Sequence, residues 1–208
     1  MEHTAAWTLI LGAVAFFVGA GLAPEPSRVF SGDRAVYLRV LHEHHHRWLA
    51  MNGFMIVGVV LTAAGLVDAA SLVGQPFAVA AVTYLVAAVL WVAVMVARST
   101  VDITVADRVA AGQDDLAGYE LWSAATGGWF RVHLLLAYAA VTVAGVALLR
   151  DSSVPAWVGW TAVGLGLVAG IGNATGQPRT KAWGPLFEPP FMVHIPTLVI
   201  GIGLLMAS

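Results

Sequence analysis

Residues 77–97, FAVAAVTYLVAAVLWVAVMVA, contain no charged side chain, and polar atoms enter only through Thr83, Tyr84 and Trp91. A helix needs about 20 predominantly apolar residues to cross the hydrocarbon core of a bilayer. Apolar residues occupy every side of this run, so it reads neither as an amphipathic surface helix nor as a barrel strand with alternating polarity. Moving outward, comparable runs cover residues 5–23, 48–67, 129–149, 154–172 and 191–206. The composition agrees: 59% hydrophobic residues, 11% charged residues and a mean hydropathy of +0.82 lie far outside soluble usage. The expectation is an all-α polytopic membrane protein, with residues 1–208 forming a single integral domain of six transmembrane helices.

The basic residues orient these helices. Arg28, Arg34, Arg39 and Arg47 follow the first run, Arg98, Arg108 and Arg131 surround the third gap, and Arg179 with Lys181 occupy the fifth; Arg150 alone lies elsewhere. The positive-inside bias places the odd-numbered gaps in the cytoplasm and both termini outside, in a plasma-membrane protein. The first run has no preceding Lys or Arg, unlike the basic start of a signal peptide, so it reads as a retained helix. A net charge of −2 speaks against a nucleic-acid partner, and zero cysteines exclude disulfides, thiolate metal sites and cysteine nucleophiles. The partners expected are the lipid bilayer and a hydrophobic small molecule, with a homo-oligomer left open.

Two of the basic gaps are long. Residues 24–47 and 98–128 read as cytoplasmic loops holding short amphipathic helices, one from Ser27 onward and others at 101–111 and 116–125, separated at Gly112 to Asp115. Residues 173–190 contain Pro178, Pro185, Pro189 and Pro190 and read as an irregular loop. Gly166 and Gly170 in the fifth run have the spacing that lets helices approach closely.

Three constellations carry potential chemistry at this inner level. The first is the run His42-Glu43-His44-His45-His46, with Asn52 seven residues beyond His45. Imidazole titrates near neutral pH and ligates metals, so His45 and His46 are candidate ligands, while an interfacial polar collar is the alternative. The second is Trp122, Trp129, Arg131 and His133, where His133 enters an apolar stretch and needs a partner or a cavity. The third joins Glu188 and His194, among prolines that distort the last run, with Asn173 and Gln177 at the end of the fifth.

The segment from Tyr84 to Arg150 resembles the anthrone oxygenase-like family of small membrane proteins. The likeness rests on residues 97–110, ARSTVDITVADRVA, on Trp122, and on Trp129-Phe130-Arg131-Val132-His133-Leu134-Leu135; the four-helix plan extends it over about the first 150 residues. Val132 stands where the family usually has asparagine, and the histidine run and the last two apolar runs are additional. The resemblance implies oxidation of an acidic C–H on a hydrophobic aromatic molecule without a cofactor. His133 would be the general base, with Arg131 or a tryptophan N–H such as that of Trp129 stabilising the enolate. Asn52, Trp122, Asn173, Glu188 and His194 are candidates for binding the substrate. Two other classes remain open: a redox protein holding haem b or a metal through two of His45, His46, His133 and His194, and a non-catalytic transporter or assembly factor.

Overall fold

The fold was obtained as a computed structural model, which describes residues 2–29, 32–113, 116–151, 154–175 and 191–207. The described residues form helices joined by short turns, with no strand: α1 (Glu2–Gly21), α2 (Pro26–Val29), α3 (Arg34–Val73), α4 (Gln75–Ala110), α5 (Ala117–Arg150), α6 (Ala156–Thr175) and α7 (Phe191–Ala207). Five of them, α1, α3, α4, α5 and α6, are long and apolar enough to cross a membrane, and α7 is a shorter apolar helix. The chain is a helical membrane protein. Its outer surface carries Val82, Val89, Val168 and Ile171, all at least 60% exposed, as expected of side chains that meet lipid rather than water.

The helices pack in chain order as a closed ring. Following the lone turn α2, α1 lies on α3, α3 on α4, α4 on α5, α5 on α6, α6 on α7, and α7 returns to α1. Small residues set the closest crossings, since lipid provides no hydrophobic drive between helices and association relies on close contact. A Cβ on Gly12 would lie 2.6 Å from Thr62 Oγ1, and one on Gly58 would lie 2.6 Å from the Phe16 backbone nitrogen. The α5–α6 crossing is built likewise: a Cβ on Gly145 would lie 2.7 Å from the Gly159 carbonyl oxygen, and Gly166 rests against Thr142.

The expected long loops are instead helical continuations of the spans. α3 contains 40 residues, α4 36 and α5 34, whereas about 20 suffice to cross the hydrocarbon core. Residues 98–110 and 117–128 therefore run on from the spans where separate amphipathic helices were expected, and residues 34–47 do so across a kink at His44. The local reasons are clear. Asp33 caps α3 by accepting the Val36 N–H at 3.1 Å, and no proline or glycine interrupts residues 34–52 or 98–111. Each of these stretches also has an apolar face that finds a partner on the neighbouring extension. The turns are as short as the helices are long. Gly74, at φ +101°, alone separates α3 from α4, a backbone conformation that favours glycine. Pro76 follows in the first turn of α4, where its missing N–H is harmless.

Contacts between the extensions place all three at one end of the molecule. Arg34 of α3 pairs with Glu120 of α5 at 2.6 Å, Tyr37 of α3 with Asp102 of α4 at 2.7 Å, and His42 of α3 with Asp107 of α4 at 2.8 Å. The helix α3 bends within this region at His44, whose φ of −130° and ψ of 30° depart from helical values.

Because backbone atoms occupy the space beside Gly58, the substitution Gly58→Val is expected to force α1 and α3 apart, at a cost of about 1–3 kcal/mol. The check is the thermal midpoint of the detergent-solubilised protein, which should fall, whereas Gly53→Ala, with open space at its Cβ, should leave it within error.

Candidate functional site

Where the three extensions leave the apolar part of the ring, a cavity of about 430 Å3 opens. Its floor belongs to the membrane runs: Met51 and Met55 of α3, Trp91 and Met95 of α4, Phe130 of α5 and Phe191 of α7. Its upper wall belongs to the extensions and is polar, with Asp33, Arg34 and Tyr37, Arg98 and Ser99, and Tyr119 and Ser123. Trp48 stands between the two levels, its ring edge-on to Tyr37 at 5.7 Å. Volume and lining match the usual small-molecule site, an apolar cleft with a few placed polar groups.

The polar wall is organised around one carboxylate. Asp102 is 1% exposed; its Oδ2 accepts the Tyr37 hydroxyl at 2.7 Å and lies 3.4 Å from Arg98 Nε, one helical turn earlier on α4. Burial, and then the Asp102 charge, hold the Tyr37 phenol well above its ordinary range. The same two causes push Tyr119 up, and the Arg34 guanidinium lies 5.8 Å over its ring. One turn before Asp102, Ser99 Oγ accepts Asn52 Nδ2–H at 2.9 Å, tying α3 to α4 behind the wall.

The residues expected from sequence are divided by this geometry. Asn52 is 2% exposed and supports Ser99 at the cavity wall. His133 is 1% exposed, and its Nδ1 lies 2.8 Å from the Ala87 carbonyl oxygen. A carbonyl only accepts, so Nδ1 carries the proton and Nε2 keeps a lone pair, for which no partner exists among the described residues. The His133 ring is 6.0 Å from those of Trp91 and Phe130, which puts it one side chain behind the cavity floor. Arg131 and Trp129 do not join it. Arg131, two residues before His133, faces another side of the helix and is exposed; Trp129, one turn before His133, is 57% exposed.

Trp122 is half-buried outside the cavity lining, and Asn173 bonds back to the Ala169 carbonyl of its own helix at 2.9 Å. His194 is fully buried, stacked on Phe16 at 3.9 Å, with Nδ1 3.4 Å from Thr62 Oγ1. Glu188 and Gln177 lie outside the described residues.

The histidines lie in separate places. His45 and His46 sit ring against ring at 3.9 Å on the projecting part of α3, apart from the buried pair His133 and His194. Phe16 stacks on His194, and the Trp91 and Phe130 rings lie 6.0 Å from that of His133. A different trio comes to metal-ligand distance: Glu25, Glu43 and His44 bring one ligand atom each within 4.8 Å of one another. Arg28 already engages Glu25 at 2.5 Å and, with His44 at 3.1 Å, holds that carboxyl below its usual range.

Tyr37, Arg98, Ser99, Asp102 and Tyr119 were absent from the sequence-derived site. Their signal was present in part, because an Arg and an Asp four residues apart, Arg98 and Asp102, interrupt an apolar helix at the membrane boundary. Pairing them with Tyr37 and Tyr119 requires α3 and α5 to be placed beside α4.

Since the folded protein binds the phenolic protons of Tyr37 and Tyr119 more tightly than the unfolded chain, stability from this wall is complete below the ordinary phenol value of 10.0 and is lost as pH rises beyond it. The thermal midpoint is expected to decline above about pH 10, and Tyr37→Phe should flatten that decline while lowering the midpoint at neutral pH.

No protein-family model, curated protein or solved structure matches the chain.

Proposed function

We propose that the chain is an integral membrane protein that admits a hydrophobic aromatic small molecule into the cavity and oxidises it there, on the cytoplasmic side of a plasma membrane. The cavity carries this reading: its floor of aromatic rings and methionines suits a flat apolar body, and its polar wall suits an oxygen-bearing edge. Arg34, Arg39, Arg47, Arg98 and Arg108 gather on the extensions at the cavity's end, which supports a cytoplasmic orientation. All six apolar helices then cross the bilayer, with both termini on the opposite face.

The chemistry proposed is that implied by the anthrone oxygenase-like resemblance. His133 Nε2 takes the proton from an acidic ring C–H, and the electron pair enters the ring carbonyl as an enolate. Dioxygen reacts at the carbon; one of its oxygen atoms becomes the new carbonyl and the other leaves as water, carrying the two hydrogens lost. Trp91 or Phe130 must swing aside to bring the substrate to His133, because both rings stand between it and the cavity.

Oxidation of a dihydroxyanthrone by the detergent-solubilised protein, followed by anthraquinone absorbance and oxygen uptake, tests the proposal. Turnover should exceed the spontaneous rate, and His133→Ala should lower it by about 10²- to 10⁴-fold, the span of a general base. Equal rates for wild type and His133→Ala would overturn the catalytic reading. A second reading, a non-catalytic transporter or assembly factor, draws on the near-complete burial of His133 and expects ligand retention without turnover.

A further inference from the structure

Arg98 lines the cavity from α4, one turn beyond Met95 of the floor. A guanidinium carries five N–H donors in a fixed plane, and here it has one close acceptor: Nε lies 3.4 Å from Asp102 Oδ2. The two terminal nitrogens have no hydrogen bond among the described residues, yet they are not sealed from solvent as the indole nitrogens of Trp48 and Trp91 are, and the side chain keeps 30% of its surface. The cavity therefore contains donors that a ligand can reach. Their position is fixed from behind, because Asp102 is 1% exposed and also accepts the Tyr37 hydroxyl from α3 at 2.7 Å.

The acids of the wall are already engaged. Asp33 accepts the Val36 N–H at the start of α3, and Asp102 serves Tyr37 and Arg98 together. Glu120 pairs with Arg34 at 2.6 Å through side chains 67% and 41% exposed, and an ion pair so open to water contributes little, so Arg34 is readily drawn to a ligand at the rim. Donors thus exceed acceptors on the wall. Below it, the half-buried rings of Phe130 and Phe191 and the thioether of Met95 offer an apolar bed. Building on the reading of this cavity as a ligand site, we infer that its ligand is an aromatic monocarboxylate, with the ring on that bed and both carboxylate oxygens on the terminal nitrogens of Arg98. Two parallel N–H···O bonds are the geometry a guanidinium gives a carboxylate. The inference concerns recognition and is independent of whether the bound ring is turned over.

Equilibrium dialysis of the whole chain in neutral detergent against three probes of one shape, 9-anthracenecarboxylate, 9-methylanthracene and 9-(aminomethyl)anthracene, provides the test. The carboxylate should bind most tightly and the ammonium least. Arg98→Gln should weaken the carboxylate by about 10- to 100-fold, the worth of hydrogen bonding to a charged group, and leave 9-methylanthracene unchanged. Arg98→Lys, which keeps the charge and loses the planar fork, should fall between the two. If Arg98→Gln fails to fold because Asp102 loses its cation, the lysine variant and the order of the three probes on the wild type decide the matter. Equal affinity for the carboxylate and 9-methylanthracene, tighter binding of the ammonium, or carboxylate binding unmoved by either Arg98 variant would each overturn the inference. Binding of no probe would overturn it together with the reading of the cavity. Carboxylate-selective binding without anthrone turnover would remove the catalytic proposal and leave recognition intact.

Discussion

The hydrocarbon core of a bilayer accommodates about 30 Å of helix, and α3, with 40 residues, runs for about 60 Å. The excess has to emerge into water, and so does that of α4 and α5. Antiparallel neighbours joined by tight turns emerge in register, since Gly74 holds α3 and α4 together at the far end and pushes both surpluses to the same side. The surpluses then pack on one another. Arg34, Tyr37 and His42 find Glu120, Asp102 and Asp107 across the helix interfaces, and a polar wall forms immediately above an apolar floor. The cavity is a product of this change of solvent along three long helices, of which α3 is kinked at His44.

Within the membrane, the ring keeps polar side chains paired at low cost. Thr62 donates to the Gly58 carbonyl and takes His194 as a neighbour, and His133 donates to the Ala87 carbonyl. Hydroxyls of Thr83, Thr142 and Thr161 return to their own helices one turn back, which satisfies them without crossing to another helix. Against that background the unpaired indole nitrogens, the Asn52 carbonyl oxygen and the second Asp102 oxygen stand out. They are distributed over α3, α4 and α5, and the Nε2 atoms of His133 and His194 are likewise without a partner among the described residues.

The histidine run shows how density in a sequence differs from assembly in space. Five residues held four imidazoles, yet the bend at His44 distributes them: His42 pairs with Asp107, His44 with Glu25, and His45 with His46 face each other. The buried polar centre lies instead at Asp102, one turn after Arg98 on the extension of α4.

Sequence by itself determined the helical membrane class, the location of each apolar run and the concentration of arginines on alternate gaps. These follow from composition and from the length needed to cross hydrocarbon, quantities that are local and additive. It also marked His133 as needing a partner or a cavity, because an imidazole in an apolar run has no water to turn to, and it marked Gly166 as a packing residue. It read helices in the two long gaps but not that they continue the spans, since the apolar faces of residues 34–47, 98–110 and 117–128 are satisfied equally by a membrane surface or by one another. Nor did it separate His133 from Arg131, which is close in sequence and on another side of the helix, or from Trp129, which is one turn away yet exposed. Tertiary structure decided these points and created the cavity, because residues as distant as Tyr37, Asp102 and Tyr119 meet only when three overlong helices are forced out of the bilayer side by side.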